Sequence, residues 1–326
     1  MAASRRGSGQ QPLFGAAIPL PKPVKLDQDT MMGGLREVVG QAGARVRLID
    51  DDSGRRGLLA GLRARPAGIT CEIAGVRLSV TASPRPLCDA AAMHSFINPA
   101  VWRGSVAGLK AHRAHLLIAE EDGNPGSGAD AMFDRATAVT LATAAVASMI
   151  EAEGVIWLPA RNTLPIGAFG TEMERFIDGQ APLQFWVRCQ VLPAPVQAEH
   201  EFGQLSGAVL HPGVATIGLA AFIGAEIIAP PSDCPRDVML DHILGLASAV
   251  IDENAPLTDG GVYGQPGGHM VRLTMRRAGQ YSERPYWELQ PRAAPEPKPE
   301  APRKAQPEEA GPGFSPPRLR LVVPGR

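Results

Sequence analysis

ValAlaThrIleGlyLeuAlaAlaPheIleGlyAlaGluIleIleAlaPro (214–230) is the stretch on which the reading of the fold turns. It is almost unbroken apolar sequence, punctuated by Gly218 and Gly224, and Glu226 alone interrupts it with a charge. Short apolar runs bounded by glycine suit strands buried in a sheet, and one or two strands fit here. An amphipathic segment (236–252) follows, with Pro235 suited to a first helical turn and Asp233 ahead of it as a cap. LeuThrAspGlyGlyValTyrGly (257–264) then reads as a polar turn. Strand, helix and loop in this order predict a packed α+β domain.

Working outward, HisMetValArgLeuThrMetArgArg (269–277) looks like an edge strand with basic ends. Ten prolines fall in 291–326, interleaved with Glu, Lys and Ala, a composition that forms no core. PheSerProProArgLeuArgLeuValValPro (314–324) regains apolar character and reads either as a linear motif that adds a strand to a sheet edge or as a merely sticky terminus. Upstream, LeuGlnPheTrpValArgCysGlnVal (183–191) alternates like a strand, 167–178 suggests a short helix, and GlyAlaValLeuHis (207–211) a further strand. GlyValIleTrpLeuPro (154–159) is a strand. The strongest helix starts near Asp130 and carries Met132, Ala136, Val139, Thr143, Val146 and Ile150 at helical spacing, with Gly154 as its closing residue.

HisLeuLeuIleAla (115–119) has the look of a central strand buried on both faces. IleThrCysGluIleAlaGlyValArgLeuSerValThrAla (69–82) predicts a hairpin turning at AlaGly. Residues 89–96 start a helix, 45–49 suit a short strand, and Asp27 or Asp29 caps a helix burying Met32, Leu35, Val38 and Val39. Residues 1–25, rich in Gly, Pro and Gln, read as a flexible segment. The expected organisation is therefore 1–25 flexible, 26–290 globular and 291–326 disordered. The globular part is expected to be α+β, a mixed sheet with helices on one face, or two similar lobes sharing a sheet.

The chain has 326 residues, 44% hydrophobic and 20% charged, with a net charge of −1. That suits a soluble protein with a real core and provides no global field to steer it towards nucleic acid or anionic lipid. No stretch approaches the roughly 18 apolar residues of a spanning helix, and no signal-type apolar region follows Arg5 and Arg6. A cytoplasmic location is expected. The four cysteines, at 71, 88, 189 and 234, have no metal or redox spacing and suit buried thiols. Trp102, Trp157, Trp186 and Trp287 do not interleave with Lys or Arg as nucleic-acid platforms do.

No complete catalytic constellation stands in the sequence. His112 and His115 would share a helix face and could hold a metal with Glu120, Glu121 or Asp122; ahead of a strand they point apart, and a structural role is the simpler reading. Gly-dense 259–261 and 264–268 lack the phosphate-loop pattern, and there is no GxSxG. Glu226, inside an apolar run, must be paired or lie at an edge. No metal and no cofactor is expected.

CysGluIleAlaGlyValArgLeuSerVal (71–80), LeuLysAlaHisArgAlaHisLeuLeuIleAla (109–119), GlyValIleTrpLeu (154–158), ProLeuGlnPheTrpVal (182–187), ThrIleGlyLeuAlaAlaPheIleGlyAlaGluIle (216–227) and LeuThrAspGlyGlyValTyrGly (257–264) occur in order. Together they resemble the bacterial proteins that carry the domain of unknown function DUF4261, over about 25–275. Ile223 stands as an insertion between Phe222 and Gly224 relative to the family's block. The family has no assigned activity, so the resemblance implies a fold and a bacterial cytosolic setting and no reaction. His115, Glu226 and Asp259 are the polar positions it matches. The leading expectation is a non-catalytic binding protein with a protein partner, of the immunity- or effector-associated kind; the competing one is a hydrolase with a dispersed site built from His115, Glu226 and Asp259.

Overall fold

The structure, a computed structural model, describes residues 14–25, 27–49, 68–97, 102, 106–121, 128–194, 210–264 and 269–292. The α+β class holds, and the strands form two sheets instead of a shared one. The first sheet has seven antiparallel strands: β1 (Gly15–Leu20), β2 (Val46–Leu48), β3 (Gly68–Ile73), β4 (Val76–Ser83), β5 (Ala114–Glu120), β6 (Gly154–Trp157) and β7 (Asn162–Pro165), in the order β2-β3-β4-β5-β1-β6-β7. The second holds β8 (Arg188–Leu192), β9 (Gly213–Ile217), β10 (Glu226–Ala229), β11 (Val262–Gly264), β12 (Met270–Arg276) and β13 (Tyr286–Arg292), ordered β11-β12-β13-β10-β9-β8. Its pairs are antiparallel except β10 with β13.

The main correction is β1. Part of the segment expected to be flexible is a fully buried strand between β5 and β6. The prolines that argue against a strand are tolerated for a positional reason. Phe14 and Leu20 carbonyls accept from β5-side amides, while the Gly15 carbonyl accepts from Leu158 on the β6 side. By alternation Pro19 turns its missing N–H to the β6 side, where β6 pairs only with Ala16 and Ala17.

The 69–82 hairpin forms as predicted, with Ala74 and Gly75 at φ 50° and 85°, the pair of positive angles that a two-residue hairpin turn needs. β5 is central, yet only one of its faces is fully covered; the other is half-buried. On the covered face lie α1 (Gln28–Gln41), capped by Asp27, and α4 (Ala129–Ser148). The short α2 (Ala90–Phe96) and α3 (Ala107–Lys110) form a small second cluster on the opposite face, where Met93 and Leu109 meet Ala17 and Ile156.

Helix α4 buries Ala138, Leu141 and Ala145 as well as Ala136, Val139 and Val146, so it is apolar nearly all round. One side packs on β1, β4 and β5; the other meets elements leading into the second sheet. It ends at Ser148, and Gly154 is the first residue of β6 and no helix cap. A Cβ there would stand 2.7 Å from the Leu164 carbonyl oxygen, which explains the glycine by close strand approach. After α5 (Ile166–Ile177), residues 183–186 form the single turn α6 (Leu183–Trp186), where alternation predicted strand. Only the second half of that run, β8, is extended. Phe185 and Trp186 are consecutive and both fully buried, which a helical turn inside the core allows.

Trp186 joins the halves of the molecule. It stacks on Phe222, meets Phe133, Phe176 and Trp157, and donates its indole N–H to Thr140 of α4 at 2.8 Å. In the 214–230 stretch, β9 and β10 are separated by the turn α7 (Ala220–Ile223). Helix α8 (Arg236–Asp252) then packs on both strands; Pro235 is its N-cap and Asp233 makes no cap bond. β12 is an interior strand, contrary to its edge-like basic ends, because 257–264 is more than a turn and contributes β11. β13 (Tyr286–Arg292), absent from the sequence reading, is a further strand of the second sheet. The motif 314–324 and most of 207–211 lie outside the described residues.

Candidate functional site

His115, Glu226 and Asp259 land in three separate settings. His115 sits on β5 opposite Pro19 and Ser83, its Nδ1 2.8 Å from the Arg85 carbonyl oxygen. Glu226 opens β10 in the other sheet. Its carboxylate accepts from the Thr216 hydroxyl at 2.6 Å and from the Gly218 and Leu219 amides at 2.8 and 3.2 Å. Asp259 precedes β11 and accepts from the Met275 amide of β12 at 2.8 Å. Glu226 and the Asp259–Met275 contact are separated by β13, two strand spacings or about 10 Å. No hydrogen bond joins any two of the three among the described residues.

Each has a clear local task. Glu226 closes the turn from β9 to β10. At that turn Gly218 has φ 104°, and a Cβ on it would lie 2.5 Å from the Trp186 carbonyl oxygen and 2.7 Å from Ala160 Cβ. The carboxylate thus fixes a turn that packs against Trp186 and against Ala160, between β6 and β7. Asp259 continues the work of β11, which ends its pairing at Arg272: Leu273 bonds to Gly260 and Gly261, and the Asp259 side chain takes the next outward amide. An edge blocked in this way presents fewer free amides to another strand.

The histidine pair does not converge. His112 is buried, with Nδ1 2.6 Å from the Leu109 carbonyl oxygen and Nε2 2.8 Å from the Leu87 amide. A nitrogen that accepts from an amide is unprotonated, so this imidazole is a neutral tie between α3 and the chain ahead of α2. Among the described residues no group of three or more His, Cys, Asp or Glu side chains is placed to hold a metal ion.

Sequence reasoning missed the most buried charges. Glu120, at the inward end of β5, forms an ion pair with Arg135 of α4, both almost wholly inaccessible. Glu120 also accepts from the Phe14 amide at 3.1 Å, and the Arg135 guanidinium lies 5.8 Å from the Phe14 ring centre. The signal was available: Glu120 holds an inward position of the β5 alternation, and Arg135 follows Met132 by three residues on the core side of the helix. Glu172 of α5 is buried too, and burial raises its pKa above the ordinary carboxylate value against the Gln184 amide and Arg175 that favour its charge.

Cys71 and Cys189 are pushed up to about 11 by burial, with Glu121 and Glu226 adding to the effect, so both are thiols at neutral pH. A nucleophile needs the thiolate. A cleft of about 160 Å³ opens between the first turn of α4, α7 and the end of α8. Its polar groups are engaged with one another or with the backbone: Asn254 donates to Asp130, and Asp252 accepts from Ser248 and the Ala181 amide. It contains no nucleophile with a base beside it.

The sheet edges differ more than the clefts do. β7 is covered by a bridge from Ile97 to Thr163, β2 is three residues long, and the β11–β12 edge is finished by Asp259. β8 is a five-residue outer strand with no further strand beside it among the described residues. Val191 in it is 49% exposed although its partner Val214 is buried.

Comparison with protein-family models, curated proteins and solved structures finds no match for this chain.

Proposed function

We propose that this is a non-catalytic binding protein of the bacterial cytosol whose contact surface is the outer edge of β8. One observation carries the reading: the acidic and histidine side chains that would serve a reaction are engaged by the fold's own backbone, whereas β8 has no further strand beside it among the described residues and carries an exposed aliphatic residue. Strand addition uses such an edge, main-chain bonds supplying affinity and side-chain pockets specificity. The DUF4261-like blocks and the near-neutral charge agree with a protein partner, of the immunity- or effector-associated kind, over nucleic acid. No helix among the described residues is long and apolar enough to cross a membrane.

The test is affinity capture from cell lysate with the full chain and with Val191→Lys, which puts a charge on the edge at an exposed position. The expected result is one stoichiometric protein lost with V191K. A partner that persists undiminished removes β8 from the reading; a co-purifying small molecule with no protein partner overturns it in favour of a ligand-directed activity.

A further inference from the structure

We infer that the cleft between the first turn of α4, α7 and the last turn of α8 binds a small organic cation, a primary ammonium group carried on one aromatic ring. The inference goes beyond the binding reading above and does not rest on β8.

Size and walls set the body of the ligand. The cleft holds about 160 Å³. That is room for one six-membered ring, since benzene fits a protein cavity of about 150 Å³. Phe133, Phe222, Ile223, Val250 and Ile251 make its walls apolar. Both phenyl rings are held from behind by Trp186, which stacks on Phe222 and meets Phe133 edge-on. The walls are therefore formed before any ligand arrives.

Charge sets the other end of the ligand. Asp130 and Asp252 stand in the lining, and no lysine or arginine does. The partners of both acids are uncharged: Asn254 donates to Asp130 at 3.1 Å, and the Ser248 hydroxyl and Ala181 amide donate to Asp252 at 2.6 and 2.7 Å. A carboxylate offers about four acceptor sites, so Asp130 can accept further donors. The last turn of α8 brings the negative end of a helix to the cleft, with no basic residue in that turn to offset it. The positive end of α4 is offset by Asp130 itself. A cation gains from both carboxylates and from the phenyl faces. An anion meets two like charges, and a hydrated inorganic ion gains nothing from apolar walls.

The experiment is an NMR titration of the full chain with phenethylammonium, read on the methyl signals of Ile223, Val250 and Ile251. Saturable shifts are expected at these methyls. Asp130→Asn keeps an acceptor for Asn254 and loses the charge, and affinity should fall about threefold or more. The neutral analogue 2-phenylethanol should bind the parent protein more weakly by a similar factor, and phenylacetate more weakly still. Ala129→Phe puts a ring into the cleft from an exposed position of α4 and should abolish the shifts, whereas Ala129→Ser should bind as the parent does. Absence of saturable shifts in the parent overturns the site. Shifts that persist in A129F overturn it too, because the ligand then lies elsewhere. Equal affinity for the amine and the alcohol overturns the selection of a cation.

Discussion

The two sheets treat charge in opposite ways. In the seven-stranded half the decisive pair, Glu120 and Arg135, is buried against Phe14 and fixes helix α4 and the start of β1 to the sheet. In the six-stranded half the carboxylates that bind backbone sit at turns and edges, Glu226 closing the β9–β10 turn and Asp259 finishing the β12 edge, while Glu288 of β13 is buried against Arg276. A common principle underlies both. Seven described carboxylates, Asp27, Asp89, Glu120, Glu172, Glu226, Asp252 and Asp259, each accept at least one backbone amide. Acidic side chains here fasten main chain, in the core of the first half at Glu120 and at caps, turns and edges elsewhere. The first half should therefore fail globally when a charge is lost, and the second locally.

The largest effect is expected from Arg135→Met, which leaves Glu120 buried without its guanidinium. Breaking one side of such a pair costs about 3–5 kcal/mol, and denaturant unfolding should show the loss. Replacing both partners, with Glu120→Leu added, should recover much of it. If the single variant loses less than the double, the contrast between the halves collapses.

Next comes Gly218→Ala. A Cβ at φ 104° against the Trp186 carbonyl oxygen and Ala160 should cost about 2–3 kcal/mol, read by the same unfolding curve. Glu226→Ala acts on the same turn by removing a charged acceptor from two amides, for about 2 kcal/mol. Because the two changes share one turn, their effects should be less than additive, which a double-mutant cycle measures.

Glu172 gives a pH test. Its folded pKa is raised by burial, so the folded state binds its proton more tightly than the unfolded chain. The associated stability is fully present below the unfolded value near 4.5 and is lost as pH rises through the folded value. Unfolding free energies of Glu172→Gln and the parent, compared across that window, should diverge in favour of the variant as pH rises and run parallel above it. A constant difference at all pH values refutes the assignment.

Asp259→Ala should have the smallest and most local effect. The Met275 amide, freed of its acceptor, should exchange faster while the β1 and β5 amides keep their rates. Faster exchange at β1 or β5 would show that the two halves are not separable in this sense.

Much of the fold was legible because periodicity is a local property. The 69–82 hairpin, the α1 cap at Asp27, the helix from 129 and the short β6 strand follow from alternation, capping chemistry and helical spacing. What failed did so where neighbours override local preference. Residues 15–20 look loose because of Pro19 and the prolines around them, until the pairing on each side shows which N–H groups are needed. Residues 183–186 alternate like a strand, and the core turns them into a helical turn so that Phe185 and Trp186 can both be buried. The basic ends of β12 suggest an edge because nothing local announces β11 or β13. The candidate residues behaved alike: sequence picked out Glu226 and Asp259 as polar groups in unusual places, and only the structure shows what each one holds.

By itself, then, the sequence determined the α+β class, most helices and hairpins, the absence of familiar catalytic motifs and the change of composition after 291. The tertiary structure decided that the strands divide into two sheets, that Glu120 and Arg135 meet in the core, that acids serve the backbone, and that β8 is an outer strand among the described residues. Those facts depend on contacts between residues distant along the chain, and pairing across a sheet or a core leaves no periodic trace within either partner.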